Sequence, residues 1–180
     1  MSGRNLSITL RETALDLLDG DLLDQDVDVV VNPSNQDLKV ESKISRRLVA
    51  EAGESIQKEC ERIGSATAGT AVMTGPGDLE VKQVIHAILP RIGEGDEDRK
   101  LSSAVRSALA LAERHGMRTI ALPNVVGTDD GYPLEKAARL MLTEIQRYIQ
   151  GGTKLEKVAV VLEDEAMFEL FKRELRRGFR

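Results

Sequence analysis

Asn32 and Asn35 follow the apolar run Val29-Val30-Val31 in the stretch Val-Asn-Pro-Ser-Asn. A side-chain amide offers both donors and acceptors, so asparagines delivered by a strand into a loop suit sugar hydroxyls or a nucleotide base. Turn chemistry accounts for the same residues without a ligand, as a strand ending in an Asn-Pro turn with a second Asn beyond it. A second group with chemical potential is Pro123-Asn124-Val125-Val126-Gly127-Thr128-Asp129-Asp130-Gly131-Tyr132-Pro133, where Gly127 and Gly131 permit positive φ and Pro133 can open a helix. Backbone amides in such a turn can form an anion-binding nest. Asp129 and Asp130 oppose that role by their charge unless they face solvent or bind a cation.

The other reactive side chains have structural explanations. His86 lies inside the strand pattern Val84-Ile85-His86-Ala87-Ile88 with no nucleophile near it in sequence, and reads as a satisfied structural histidine. His115 precedes Gly116 at the end of a helical pattern, where capping and the helix dipole account for it. Cys60 is the single cysteine and reads as a packed helix residue, which excludes an internal disulfide; with two histidines in the chain, no thiolate–imidazole metal set is expected. Neither a Walker A sequence nor a G-x-G-x-x-G after a strand is present. The ATPase and dinucleotide dehydrogenase readings fall with them, and no cofactor is expected.

These residues need a scaffold, and the hydrophobic patterning supplies one. Leu6 to Leu10 alternates like a half-buried strand, whereas Val27 to Val31 and Val158 to Leu162 are apolar runs suited to strands covered on both faces. Thr70 to Thr74, Gln83 to Leu89 and Arg118 to Leu122 are further strands, with Gly75-Pro76-Gly77-Asp78 as a turn between two of them. Leu101, Val105, Ala108, Leu109 and Ala112 form one helical face, and Ala138, Met141, Leu142, Ile145 and Ile149 another. Ser42 to about Ile63 reads as one helix stopped by Gly64, and a last helix runs from Glu165 to Arg176. Arg91 to Arg99 reads as a long surface loop. Alternating strands and helices imply an α/β sandwich with a largely parallel sheet, whose ligands bind beyond the strand ends: here, the loops after Val31, Leu122 and Leu162.

At 180 residues and 41% hydrophobic content the chain can bury one substantial core, so residues 1–180 are expected to form a single domain. The aromatic content of 3% makes that core aliphatic and leaves few rings for stacking a base. A net charge of -5 argues against general nucleic-acid binding. The basic run Lys172 to Arg177 reads as a solvated helix end, where cations complement the dipole. With no apolar run of membrane-spanning length and no signal-peptide pattern, no membrane association is expected and a cytoplasmic location is.

In order and spacing, these segments resemble the macro domain family of ADP-ribose-binding, Appr-1"-p processing type, from about Leu15 to Leu175. Gly20-Asp21-Leu22 is similar to the family's Gly-Asp-Ile, Val30-Val31-Asn32-Pro33-Ser34-Asn35 to its Val-Asn-Ala-Ala-Asn, and Ala68-Gly69-Thr70-Ala71 to its Thr-Gly-x-Ala. Val84-Ile85-His86 matches Val-Ile-His, and Ile120 to Pro123 followed by Gly131-Tyr132-Pro133 matches the second phosphate-loop region. The resemblance implies a three-layer α/β/α sandwich with a mixed, largely parallel central sheet. It also implies a binding module for ADP-ribose, a related nucleotide or an ADP-ribosylated protein. Asp21 would receive the adenine amino group, Leu22 would contact the base and Asn35 would hold the distal ribose. Ser42, Lys43 and Ile44 would form the first phosphate loop, and Val126, Gly127, Thr128, Asp129 and Asp130 the second.

The chain departs from the family where phosphate is held. A run of glycines and Val-Asp-Gly-Ala is replaced by Glu41 to Arg47, whose side chains crowd a backbone that glycine would let approach a diphosphate. Lys43, Arg46 or Arg47 could take over as phosphate partners. Glu163 stands where an aromatic often stacks on adenine, a contact worth about 1–3 kcal/mol by analogy with nucleic-acid stacking. Hydrolytic members pair the second Asn with an Asp in the first loop. Asn35 would be the catalytic residue of an ADP-ribosyl hydrolase or O-acetyl-ADP-ribose deacetylase, but Ser45 replaces the Asp and is a poor general base. Pro33-Ser34 and the altered loop are similar to the macro domains of histone variants, which are binding modules. A ligand-free interaction domain is the remaining alternative, with the cleft filled by Glu41 to Arg47 and a helix through Ser42 to Arg47.

Overall fold

Four strands buried on both faces and a fifth buried on one form the parallel centre of a seven-stranded sheet of order β1-β2-β7-β6-β3-β5-β4. In the computed structural model, which describes residues 3–126 and 131–178, they are β2 (Thr13–Asp19), β3 (Val29–Ser34), β5 (Gln83–Ile88), β6 (Thr119–Pro123) and β7 (Lys157–Leu162). The edge strands β1 (Asn5–Leu10) and β4 (Ala71–Thr74) run antiparallel to their neighbours, so the sheet is mixed. Five helices cover it: α1 (Lys43–Ala52) and α2 (Glu54–Ile63) on one face, α3 (Glu97–Arg114), α4 (Leu134–Gln150) and α5 (Glu165–Arg177) on the other.

Strand parity sorts the core between the two layers. Val29 and Val31 join the cluster packed under α3, α4 and α5, while Val30 joins Leu48, Ala52, Ile56 and Cys60 beneath α1 and α2. All three valines are at most 1% exposed, as strands covered on both faces require. By the same parity Asn32 must point with Val30 toward α1 and α2. His86, between Val84 and Ile88 on β5, must do likewise.

The expected helical faces of α3 and α4 are buried in full. Two of the expected elements need correction. The segment from Ser42 to Ile63 is two helices, because Gly53 sits at φ 89°, ψ -178°, a conformation open in practice only to glycine. Arg91 to Arg99 is not all loop: α3 starts at Glu97, whose carboxylate accepts from the amides of Gly93 and Gly95. The basic run at the end of α5 is exposed at Arg173, Arg176 and Arg177, while Arg177 and, from α4, Arg139 reach the buried Glu174 at 3.0 and 3.4 Å. Strand β2 is not announced by the sequence pattern, because its outer face is only half-buried. Its two-residue connection to β1, Arg11-Glu12, lacks a turn residue, yet Arg11 adopts φ 53°.

A Cβ at position 53 would meet Asp78 Oδ2 at 3.2 Å in addition to the backbone strain. Gly53→Ala is therefore expected to cost about 1–3 kcal/mol, measured as a shift of the urea midpoint at unchanged slope.

Candidate functional site

The C-terminal ends of the parallel strands point to one edge of the sheet, as the β3–β5, β3–β6, β6–β7 and β2–β7 registers require. That edge receives Gly20 to Leu22, the loop after Ser34, the loop after Pro123 and Glu163. The Gly20 amide donates to the Leu162 carbonyl at 2.9 Å, which sets Asp21 and Glu163 side by side. Asp21 then caps a single 3-10 turn over Leu22–Asp24, its Oδ1 accepting from the Leu23 amide at 2.9 Å.

The other oxygen of Asp21 is occupied. Arg47, on the first turns of α1, donates to Asp21 Oδ2 and lies 3.3 Å from Glu51 and 3.8 Å from Glu163. Lys43 stands 3.9 Å from Glu163. One guanidinium thus joins the ends of β2 and β7 to α1. Partial burial would push the Asp21 carboxyl upward, but the Arg47 guanidinium and the Leu23 amide outweigh it and hold the carboxyl below the usual carboxylate range.

The remaining expected contacts fall into place unevenly. Leu22 is 2% exposed and belongs to the core under α1 and α2. Asn35 spends its amide on its own loop: Oδ1 accepts from the Lys39 amide at 3.0 Å and Nδ2 donates to the Lys39 carbonyl at 3.3 Å. That loop is pinned from outside by Gln36–Glu94 at 2.8 Å and Arg91–Asp37 at 3.0 Å. Ser42 caps α1, accepting from the Ser45 amide at 3.0 Å, and Lys43 is exposed while Ile44 packs against the core. Of the second loop, Val126 is buried, its amide 3.3 Å from Asn124 Oδ1. Gly127, Thr128, Asp129 and Asp130 lie outside the described residues. Beyond them Tyr132, 8% exposed, donates its hydroxyl to Asp98 and fastens the loop's exit to α3.

Asn32 corrects the starting expectation. Strand β3 continues through Ser34, so Asn32 lies within the sheet, 6% exposed, and reaches no loop. Its Nδ2 donates to His86 Nδ1 at 3.1 Å and its Oδ1 accepts from Ser45 Oγ at 2.9 Å. Because Nδ1 accepts, His86 carries its proton on Nε2, directed at Thr74 Oγ1 at 2.9 Å and at Cys60 Sγ at 4.0 Å. Thr74 in turn donates to the Gly75 carbonyl at 3.2 Å. Burial pushes His86 down to about 4, so the ring is neutral, and burial pushes the Cys60 thiol up. A protonated Nε2 facing a protonated thiol is the wrong polarity for nucleophile activation. The chain from Ser42 through Ser45, Asn32 and His86 to Thr74 is a structural bolt between α1 and the sheet. The cavity beside it, about 20 Å³, holds roughly one water and no nucleotide. Among the described residues no group of His, Cys, Asp and Glu side chains is gathered for a metal ion.

Comparison with known proteins agrees with this architecture. Residues 31–141 match the family model described as Macro domain. A macro domain-containing protein of Caldanaerobacter subterraneus is 33% identical over 163 residues, covering 87% of this chain and 93% of its own. A Pantoea vagans protein named O-acetyl-ADP-ribose deacetylase 1 is 32% identical over 161 residues, covering 86% and 94%. Among solved structures, the Oceanobacillus iheyensis macrodomain with ADP superposes with a TM-score of 0.93 at 21% identity, covering 98% of this chain and 97% of that one. With the sheet order, the strand-end loops and the sequence match in agreement, the chain belongs to the macro domain family.

Proposed function

We propose that the protein is a binding module for ADP-ribose or a related nucleotide. The observation that carries this reading is the Asp21 carboxylate: ionised, partly exposed, and set on the edge where the parallel strands end, beside the first turn of α1. A carboxylate there can accept the exocyclic amine of a base. The ADP held by the Oceanobacillus macrodomain, of the same fold, supports a nucleotide as the ligand class. Titration calorimetry with ADP-ribose, ADP and NAD tests it. Heat saturating at one site per chain is expected; no heat and no chemical-shift change at millimolar ligand would show the reading wrong.

Hydrolysis is the second reading, favoured by the deacetylase name of the Pantoea relative. Against it stands Ser45, buried, with its hydroxyl committed to Asn32 Oδ1 and near the Pro33 carbonyl at 3.2 Å, where it cannot take a proton from water. Asn35 is likewise engaged with Lys39. O-acetyl-ADP-ribose and a mono-ADP-ribosylated protein are expected to stay intact over hours with stoichiometric protein. The interaction-domain reading has one observation in its favour, that α1 runs through Lys43 to Arg47 and sends Arg47 across the edge. The same calorimetry separates it from the first.

A further inference from the structure

We infer that Arg47 is a latch on the base subsite, so that a nucleotide is admitted only as Asp21 exchanges the guanidinium for donors of the base. The inference rests on the nucleotide-binding reading and adds to it a residue that sets ligand preference. Asp21 presents two oxygens. One accepts from the Leu23 amide and the other from Arg47, so an exocyclic amine must compete with the guanidinium for the lone pairs of Oδ2. The pair sits at the rim, with side chains 35% and 30% exposed.

The latch also has a second position. Glu51 lies one turn along α1 at 3.3 Å, and Glu163 follows β7 at 3.8 Å. A guanidinium that leaves Asp21 keeps Glu51 and moves toward Glu163 without becoming unpaired. Because Arg47 stays paired in either arrangement, the ligand need supply only a modest difference between them to operate the switch. Helix α1 stays where Ser45 and Asn32 hold it, and only the Arg47 side chain moves.

The consequence is a discrimination among ligands. A ligand with a base must displace the latch, whereas a ribose phosphate without one need not. Removing Arg47 takes a positive charge from the site and should weaken any anion by a general electrostatic effect. A gain confined to the base-bearing ligand is therefore the signature of the latch.

The test is calorimetry on the wild type and Arg47→Ala with ADP-ribose and with ribose 5-phosphate. The affinity for ADP-ribose relative to ribose 5-phosphate should rise on the order of fivefold in Arg47→Ala, as expected for losing one rim ion pair. The gap between the two proteins should narrow at high salt, where the pair is screened. In the wild type the Arg47 Nε–H resonance should shift on adding ADP-ribose and stay put with ribose 5-phosphate. An unchanged or lower ratio in a folded Arg47→Ala protein, or an unmoved Arg47 resonance at saturating ADP-ribose, would overturn the latch while leaving nucleotide binding intact. Failure of both proteins to bind either ligand would overturn the nucleotide reading and the latch with it.

Discussion

Asn32→Leu is expected to lower the free energy of unfolding by about 3 kcal/mol, far more than a turn asparagine would cost. Leucine fits the volume but leaves His86 Nδ1 without its donor at a site where the ring is 1% exposed, and takes the acceptor from Ser45 Oγ. An orphaned acceptor in such a place carries its whole desolvation penalty, whereas replacing both partners by apolar groups can come close to neutral. Asn32→Leu with His86→Leu should therefore cost less than the sum of the single variants, by about 1 kcal/mol or more. Thr74 keeps its bond to the Gly75 carbonyl in that double variant, so no new orphan arises there. Urea unfolding of the four proteins at pH 7.5, with slopes compared, measures the cycle. Additive costs would mean that the amide and the imidazole do not act as one unit.

The same residue shows what local pattern can and cannot reveal. Val29 to Val31, Val158 to Val161 and the faces of α3 and α4 are legible because burial on a strand or helix repeats with its own period. The turn-like Asn-Pro-Ser-Asn puts the strand's end at Asn32, yet Pro33 and Ser34 pair with Ala87 and Ile88 and carry the strand onward. Parity alone would have put Asn32 and His86 on one face, since each stands two residues from a valine packed under α1 and α2. The register that places them opposite one another joins segments 54 residues apart, and no local pattern encodes it.

Strand β2 is illegible for a related reason. Thr13, Leu15 and Leu17 alternate inward, but Leu18 interrupts the pattern and Arg11-Glu12 gives no turn signal. The break at Gly53 is hidden because the apolar positions Leu48, Ala52, Ile56 and Cys60 keep a helical period straight across it. At the candidate site, the resemblance singles out Asp21, and the structure sets it on the edge where the parallel strands end. Its pairing with Arg47 is not legible: sequence offers Arg47 only Glu51, one turn away, and the partner 26 residues distant is brought in by the β2–β7 register.

Acidification should remove stability in a window that isolates His86. Its ordinary value of 6.5 applies to the unfolded chain, and burial lowers it to about 4 in the fold. Above pH 6.5 both states hold the ring neutral; below it the unfolded chain gains a proton that the folded state refuses, so stability falls until the folded ring titrates near 4. The full loss is about 3 kcal/mol, of which about 2 kcal/mol should appear between pH 6.5 and 5. The groups around the ring are uncharged there: Asn32, Thr74 and a Cys60 thiol whose ionisation burial has pushed up. Carboxylates held low in the fold, such as Asp21 and Asp28, lose their contribution only as pH drops through the carboxylate range, further down. Urea unfolding of the wild type and His86→Gln at pH 7.5, 6, 5 and 4.5 reads the effect directly. The wild type should lose stability steadily across this series, and His86→Gln, less stable at pH 7.5, should lose about 2 kcal/mol less on going to pH 5. Parallel curves for the two proteins would mean that the ring accepts a proton in the folded state and that the bolt between α1 and the sheet does not depend on its neutral form.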